Sequence, residues 1–481
     1  MRIAQITVLA GCVAVLAACG DARYGSEKLY WKAEQRAAKI IARKGPGNLT
    51  ADDYARIIEG YRRVTSTYPY QYKTVQAHFD IARVYLAQDK FEPALEELET
   101  VIHNFSAAPK IASRAQFAIA KLYEARREYE TALEEYDKIL DLYPVTPIGL
   151  ETPIYLIRFH ERVRDDQEEA ARAYQRALRH YRSLAGEYGE ETPVGVAVKD
   201  YLARTYLLKE QWQDAAGVWE EVMNQKEVPL LAGKAQLARA SLFADQLKEP
   251  SRAIELYKSF EQKFPRSRML PMALFQLGRV YLKEGNLPEA KETFEKIITQ
   301  FPRNTELNIL SRVAIAEAYK KEGDLEAVRR EYTTLESAYP ESPKVFAVPY
   351  LLYTYYRDAG RDTKAAMLLE LAITEYEKKL ERIVDQRKKD ALAQWLILSY
   401  REKGQWQKAI DVLDQLAEDF PGDPRYPLAA AALYKNQMKD PAGALKMYEE
   451  VQNAYPLNEM VTDSLQKQIE SLQGVLKVGD Q

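Results

Sequence analysis

Apolar positions recur along this chain three and four residues apart, in stretches broken by short polar turns. That period puts side chains on one face of an α-helix, whereas the strict alternation of a half-buried strand does not occur. A longer unit repeats on top of the helical one. A small residue is followed four positions on by a bulky apolar one and eleven positions on by an aromatic, often with Pro next: Ala94…Phe105, Ala132…Tyr143-Pro144, Ala177…Tyr188, Ala253…Phe264-Pro265, Ala290…Phe301-Pro302, Ala365…Tyr376, Ala409…Phe420-Pro421 and Ala444…Tyr455-Pro456. Three weaker copies complete the series. Ile57 stands in the alanine slot before Tyr68-Pro69, Ala327 is followed by one extra residue before Tyr339-Pro340, and Val228-Pro229 closes a copy without its aromatic. That makes eleven copies, 35 to 45 residues apart.

The half before each small residue repeats too. An aromatic lies nine residues upstream at Tyr85, Tyr123, Tyr206, Tyr281, Tyr356 and Tyr400, ten at Phe243 and Tyr434, and eight at Tyr319. Three residues earlier comes a small one in many copies: Ala82, Ala120, Ala203, Ala240, Gly278, Ala316 and Ala431. Each copy therefore predicts two amphipathic helices, for example 112–126 and 130–142, with the alanine where two backbones approach and the aromatics filling the space beside it. Pro144 lacks an amide hydrogen and ends the second helix, and Gly285 and Gly323 supply the turn between helices. Two copies are longer, near 160–170 and 377–389, by about two helical turns. Glu377–Asp390 reads as a solvated helix extension, or as a basic binding arm. Residues 27–43 predict a first helix, before the Gly45-Pro46-Gly47-Asn48 break and a Thr50 N-cap.

This pattern resembles the tetratricopeptide repeat. The resemblance implies an all-α, right-handed α-solenoid of about eleven helix-turn-helix repeats, in which one pair cannot bury its face alone and stacked pairs share a core. The expected organisation is a signal at 1–18, a linker at 19–26, repeats over 27–456, a capping helix at 457–476 and a tail at 477–481.

The N-terminus predicts an address. Met1-Arg2 is a short basic start, residues 3–18 are almost wholly apolar, and the run ends at Leu16-Ala17-Ala18-Cys19-Gly20. Sixteen such residues suit a signal core better than a bilayer span. The segment resembles a bacterial lipoprotein signal, which implies cleavage before Cys19 and acylation (palmitate included) of its thiol. Gly20, in place of the Asp that retains such proteins at the inner membrane, implies the outer membrane, facing the periplasm. The chain has two cysteines, Cys12 and Cys19, so the exported part has no internal disulfide to form.

Composition narrows the chemistry. Hydrophobic content of 47% and charged content of 29% describe a folding chain, and a formal charge of −3 argues against a general attraction to nucleic acid. Four histidines lie far apart, with no His-Glu-x-x-His spacing, Gly-x-Ser-x-Gly elbow or phosphate loop. The expectation is a protein without catalytic residues, metal or cofactor. Thirty-three tyrosines are read by their repeat phase as core.

By the same resemblance, the first helix of each pair lines a groove that takes partner peptides, and the residue two before its aromatic faces that groove. Arg83, Lys121, Arg204 and Arg279 occupy this position, which becomes Glu317, Thr354 and Leu398 further along. Six before the aromatic stand Phe79, Phe117, Leu237, Phe275, Val313 and Tyr350. Cations beside apolar pockets would suit an acidic or carboxylate-ended segment; equally, these cations could pair with neighbouring Glu and Asp. The whole resembles outer-membrane repeat lipoproteins of the β-barrel-assembly and Tol-Pal coordinator types, which implies a scaffold gathering other envelope proteins. A part in polysaccharide export, a pilus or secretion stays open. So, as another class, does a peptidoglycan-active enzyme, although no non-repeating stretch would house its catalytic domain.

Overall fold

A computed structural model describes the backbone of residues 2–45, 48–421, 423–454 and 459–479, and side chains from Ala22 onward apart from 454, 459–464, 475 and 477–479. The signal segment, the Cys19 thiol and Tyr455-Pro456 lie outside the described residues or side chains. Every described element of any length is helical. In chain order, and in the pairs the repeat predicts, they are α1 (Arg2–Lys44) and α2 (Ala51–Thr67), α3 (Tyr72–Leu86) and α4 (Phe91–Asn104), α5 (Pro109–Ala125) and α6 (Tyr129–Leu142), α7 (Pro147–Arg162) and α8 (Gln167–Tyr188), α9 (Pro193–Leu207) and α10 (Trp212–Met223), α11 (Pro229–Asp245) and α12 (Pro250–Lys263). The series continues with α13 (Leu270–Lys283) and α14 (Leu287–Gln300), α15 (Thr305–Glu322) and α16 (Leu325–Ala338), α17 (Val348–Asp358) and α18 (Asp362–Leu380), α19 (Gln386–Glu402) and α20 (Trp406–Asp419), α21 (Arg425–Leu433) and α22 (Pro441–Ala454), then α23 (Glu459–Gly479).

Two compact units divide the chain, Met1–Lys248 and Glu249–Gln481. Within each, helices pack on their sequence neighbours, the arrangement of an α-solenoid of tetratricopeptide type. First helices also touch the next first helix, as α1 with α3, α5 with α7, α7 with α9 and α13 with α15, while second helices make no comparable contact among the described residues. First helices thus crowd the inner side of each stack.

The third pair shows why. Ala132 and Ala120 are fully buried where α6 crosses α5, and Tyr136 and Ile139 fill the space beside them. No larger residue fits at such a crossing without displacing a backbone. Tyr143 ends α6 in a non-helical conformation (φ −135°), its N–H still donating to the Ile139 carbonyl, and Pro144 prevents continuation. Thr50 caps α2 reciprocally: its hydroxyl accepts from the Asp53 N–H, and the Asp53 carboxylate accepts from the Thr50 N–H at 2.9 Å. The last described helix, α23, buries Leu465, Ile469 and Leu472 against Ala444, Tyr448 and Val451, covering the apolar end of unit 2.

Three irregular copies are resolved by the structure. In the pair α15–α16 the small slot belongs to Val328, not Ala327: Val328 is buried, lies nine residues after Tyr319 and eleven before Tyr339, and α16 has the common length of 14 residues. No residue is inserted there; Ala327 merely looked the part. In α9–α10 the slot is Ala215, followed by the buried Trp219, and α10 is short at 12 residues. The ten-residue gap from Tyr434 to Ala444 is taken up by a π-helical turn, Tyr434–Met438, which ends at Lys439 in the left-handed region (φ +56°).

The two longer copies differ from each other. In α8 the extra residues lengthen the helix at its start to 22 residues, with Ala170, Ala173, Tyr174 and Ala177 keeping the buried stripe in phase. Glu377–Asp390, by contrast, is not one extension. It is split between the end of α18 at Leu380, a turn over 381–385, and the start of α19, whose N-terminus is capped by Asp385. Leu380 is buried there, at the C-terminal end of α18.

Candidate inner-face binding site

On the inner side of unit 1 the first-helix cations are held by carboxylates of their own helices. Arg83 of α3 bonds Asp80, which is buried and also accepts from the Tyr30 hydroxyl at 2.6 Å. Arg204 of α9 pairs with Asp200 at 2.6 Å and lies over the Tyr201 ring, 4.9 Å from its centroid. Lys121 of α5 donates to Glu124 at 2.5 Å and to the Tyr155 hydroxyl of α7 at 2.8 Å. Glu124 also accepts from Tyr136 at 2.8 Å and from Tyr155. Burial pushes the Glu124 carboxyl up, but hydrogen bonds from Lys121, Tyr155 and Tyr136 outweigh it and hold the group below its usual range. In unit 2, Arg279 of α13 is exposed and bonds only the neutral Gln276, at 3.0 Å, among the described residues.

The aromatic positions six before the helix-A aromatic are partly buried and packed. Phe79 borders two core clusters and lies beneath Arg114, 5.1 Å from ring centroid to guanidinium. Phe117 sits 5.5 Å from Tyr136 and 5.4 Å from Tyr155, and Phe275 sits 5.6 Å from Phe294. These rings are part-buried and close the space between helices. The residues that sequence brings into one row are therefore spread over successive helices, each in a local network.

A formed cavity lies elsewhere, in unit 2. Between α19, α20 and α21 a cleft of about 540 Å³ is floored by Ala393, Ile397 and Leu398 of α19, Leu413 and Leu416 of α20, and Ala429, Ala432 and Leu433 of α21. Gln394, Arg401, Asn436 and Gln437 edge it. Arg401 is exposed and without a carboxylate partner among the described residues, whereas Arg425 is bound by Asp423 and Asp390. Leu398 and Ala432 stand two residues before Tyr400 and Tyr434, the same repeat position as the four cations. Sequence reading marked Leu398 only as the end of the charged row. The π-helical turn contributes Asn436 and Gln437 to the cleft, and the ten-residue gap after Tyr434 is the sequence signal of that turn. An apolar floor with a few polar groups at the rim is the usual composition of a binding cleft.

Comparisons with known proteins agree with the fold. Residues 79–147 match one Tetratricopeptide repeat family, and residues 272–304 and 390–423 match a second Tetratricopeptide repeat family. No curated protein matches the chain. Among solved structures it is similar to yeast Tom70, at 13% identity and a TM-score of 0.32, covering 94% of this chain and 96% of that one. It is also similar to a tetratricopeptide repeat protein from Parabacteroides merdae, at 13% identity and a TM-score of 0.30, covering 67% of this chain and 98% of that one. Among the described residues no helix is long and apolar enough to cross a membrane, and no group of three or more His, Cys, Asp or Glu is placed to hold a metal ion. Tetratricopeptide repeats are thus present in both units, and such repeats serve as scaffolds for protein–protein interaction.

Proposed function

We propose that this protein is a lipid-anchored scaffold of the bacterial envelope, tethered through Cys19 to the outer membrane and gathering other envelope proteins on its inner faces in the periplasm. The observation that carries the interaction is the cleft of unit 2, where Leu398 and Ala432 floor an apolar channel beside Arg401, which is exposed and has no carboxylate partner among the described residues. It suits a partner segment with two or three apolar anchors and a carboxylate, laid across α19 and α21. Of the four first-helix cations, Arg279, whose partner is the neutral Gln276, adds positive potential on an inner face, while Arg83, Lys121 and Arg204 are balanced by their own carboxylates and act weakly on the rate of encounter. The anchor is supported by the run Leu16-Ala17-Ala18-Cys19-Gly20 alone.

The test combines both halves. A photo-crosslinking residue is placed at Ala432 or, as a control, at exposed Glu418 of α20, in cells making the full chain with Cys19 or Cys19→Ser. Envelope proteins captured at 432 and not at 418, with Cys19→Ser releasing the chain from the membrane fraction, are the expected results. Equal capture at both positions would remove the cleft from the proposal, and membrane retention of Cys19→Ser would remove the anchor. The identities captured distinguish outer-membrane protein assembly from polysaccharide export, pilus or secretion machinery.

A further inference from the structure

A second cleft, of about 810 Å³, lies in unit 1 between α6, α7 and α8. Its origin is the long copy. The added turns at the start of α8 extend past the usual repeat, α6 packs only sparsely on α7, and Pro153 interrupts the ladder of α7 at the cleft floor.

Two histidines from different helices line it. His160 of α7 is only 1% exposed and its Nδ1 has no hydrogen-bond partner; His180 of α8 has its Nε2 buried and equally unpartnered. Buried polar atoms are nearly always satisfied, so two orphaned ring nitrogens on one cleft mark a place built to meet another group. Opposite them, Asp137 and Asp141 stand one turn apart on α6, and neither has an ion-pair partner among the described residues. Like charges at this spacing repel. The remaining charges are mostly spoken for: Arg164 pairs with Glu130 at 3.0 Å, Arg176 with Glu169 at 2.7 Å, and the Asp166 carboxylate caps α8. Arg179 stands exposed at the rim, one cation against two free carboxylates.

What the cleft has left over is therefore acceptors. We propose that it binds a primary ammonium or guanidinium group, held by the carboxylates of Asp137 and Asp141 with the ring nitrogens of His160 and His180 as further acceptors. An ammonium brings three donors and no acceptor, and a guanidinium five, which matches a lining of carboxylates and imidazole lone pairs. Burial pushes both imidazoles down, which keeps them neutral and able to accept, and burial with the neighbouring Asp141 pushes the Asp137 carboxyl up, a strain that a bound cation relieves. The cation could come from a basic side chain of a protein or from a free amine.

The chain holds four histidines, so ¹⁵N-histidine labelling of the full chain gives four resolvable rings. Butylammonium, spermidine and the peptide acetyl-Gly-Lys-Gly-amide are titrated separately. Saturable shifts of His160 and His180, with His78 and His103 still, are expected. Asp137→Asn with Asp141→Asn should weaken binding at least tenfold while leaving the helical circular dichroism unchanged and the melting temperature equal or higher, since the pair repels. A peptide bound more than tenfold tighter than butylammonium assigns the site to a protein side chain, and comparable binding assigns it to a free amine. The proposal is overturned by no saturable shift with any probe, by parallel drift of all four rings, or by unchanged affinity in the double variant. Should that variant melt early, Asp141→Asn alone carries the same comparison.

Discussion

In unit 1 the residue two before the first-helix aromatic is a cation tied to a carboxylate of its own helix; in unit 2 the same position, at α19 and α21, is Leu398 or Ala432 and floors an open cleft. In unit 1, α5 lies against α7 and α7 against α9, while α19 and α21 make no comparable contact among the described residues and enclose the cleft with α20. The difference teaches that a repeat position has no fixed office. Its chemistry depends on whether the next first helix closes over it.

The turns inside the pairs differ in parallel. In unit 2 the left-handed residue between first and second helix is Gly285, Gly323, Gly360 or Gly404, with φ between +68° and +79°. In unit 1 it is Gly45 (φ +78°) after α1, but Asp89, Arg127, Asp165 and Glu210 in the next four pairs, side chains that adopt that conformation less readily than glycine. The same turn is imposed in both units by the packing of two helices; unit 2 meets it with glycine in every such pair but α21–α22, where Lys439 takes φ +56°, and unit 1 with glycine only after α1.

The largest expected effect breaks the cleft itself. Leu416→Ala removes a buried floor residue and should cost roughly 2–5 kcal/mol in urea unfolding, and partner capture at position 432 should fall with it. Next, Leu398→Glu with Ala432→Glu should weaken a bound partner segment about a hundredfold, some 2.7 kcal/mol, by placing unpaired charge against an apolar anchor. Serine at Arg83, Lys121, Arg204 and Arg279 together should cost less than about threefold, seen as slower association and weaker salt dependence, because three of the four are already paired. A loss from the serine set as large as from the glutamates would reverse the comparison.

Smaller changes probe the turns. Gly323→Ala should destabilise by roughly 1–2 kcal/mol, the cost of a side chain in the left-handed region. Arg127→Gly should be neutral or stabilise by less than about 1 kcal/mol, strain relief being offset by the entropy of the unfolded glycine. Both are read from denaturant midpoints.

The smallest effect is set by pH. Burial, with help from Glu375 and against Lys379, pushes the Glu336 carboxyl of α16 up to about 7. Between its usual 4.5 and that value the folded chain binds more proton than the unfolded one, so its favourable contribution is complete below the window and is lost as pH rises through it. Glu336→Gln should therefore melt higher than the wild type at pH 8, by a margin that narrows at pH 5.

The sequence alone determined the helix pairs and their number, because burial of one stripe per helix, a small residue at most crossings and a Pro after many of the closing aromatics all act locally and leave a period behind. Ala132, Tyr136 and Pro144 are legible for that reason. It also carried the Thr50 cap, a contact three residues long. What only the tertiary structure showed was that Ala327 and Val328 are both buried, with Val328 joining the core cluster formed with Tyr332 and Leu335. It likewise decided that α19, α20 and α21 enclose a cleft, and that His160 and His180 share a cavity with Asp137 and Asp141. Those outcomes depend on distances between helices, and a helical period records the direction of a side chain but not the gap it faces.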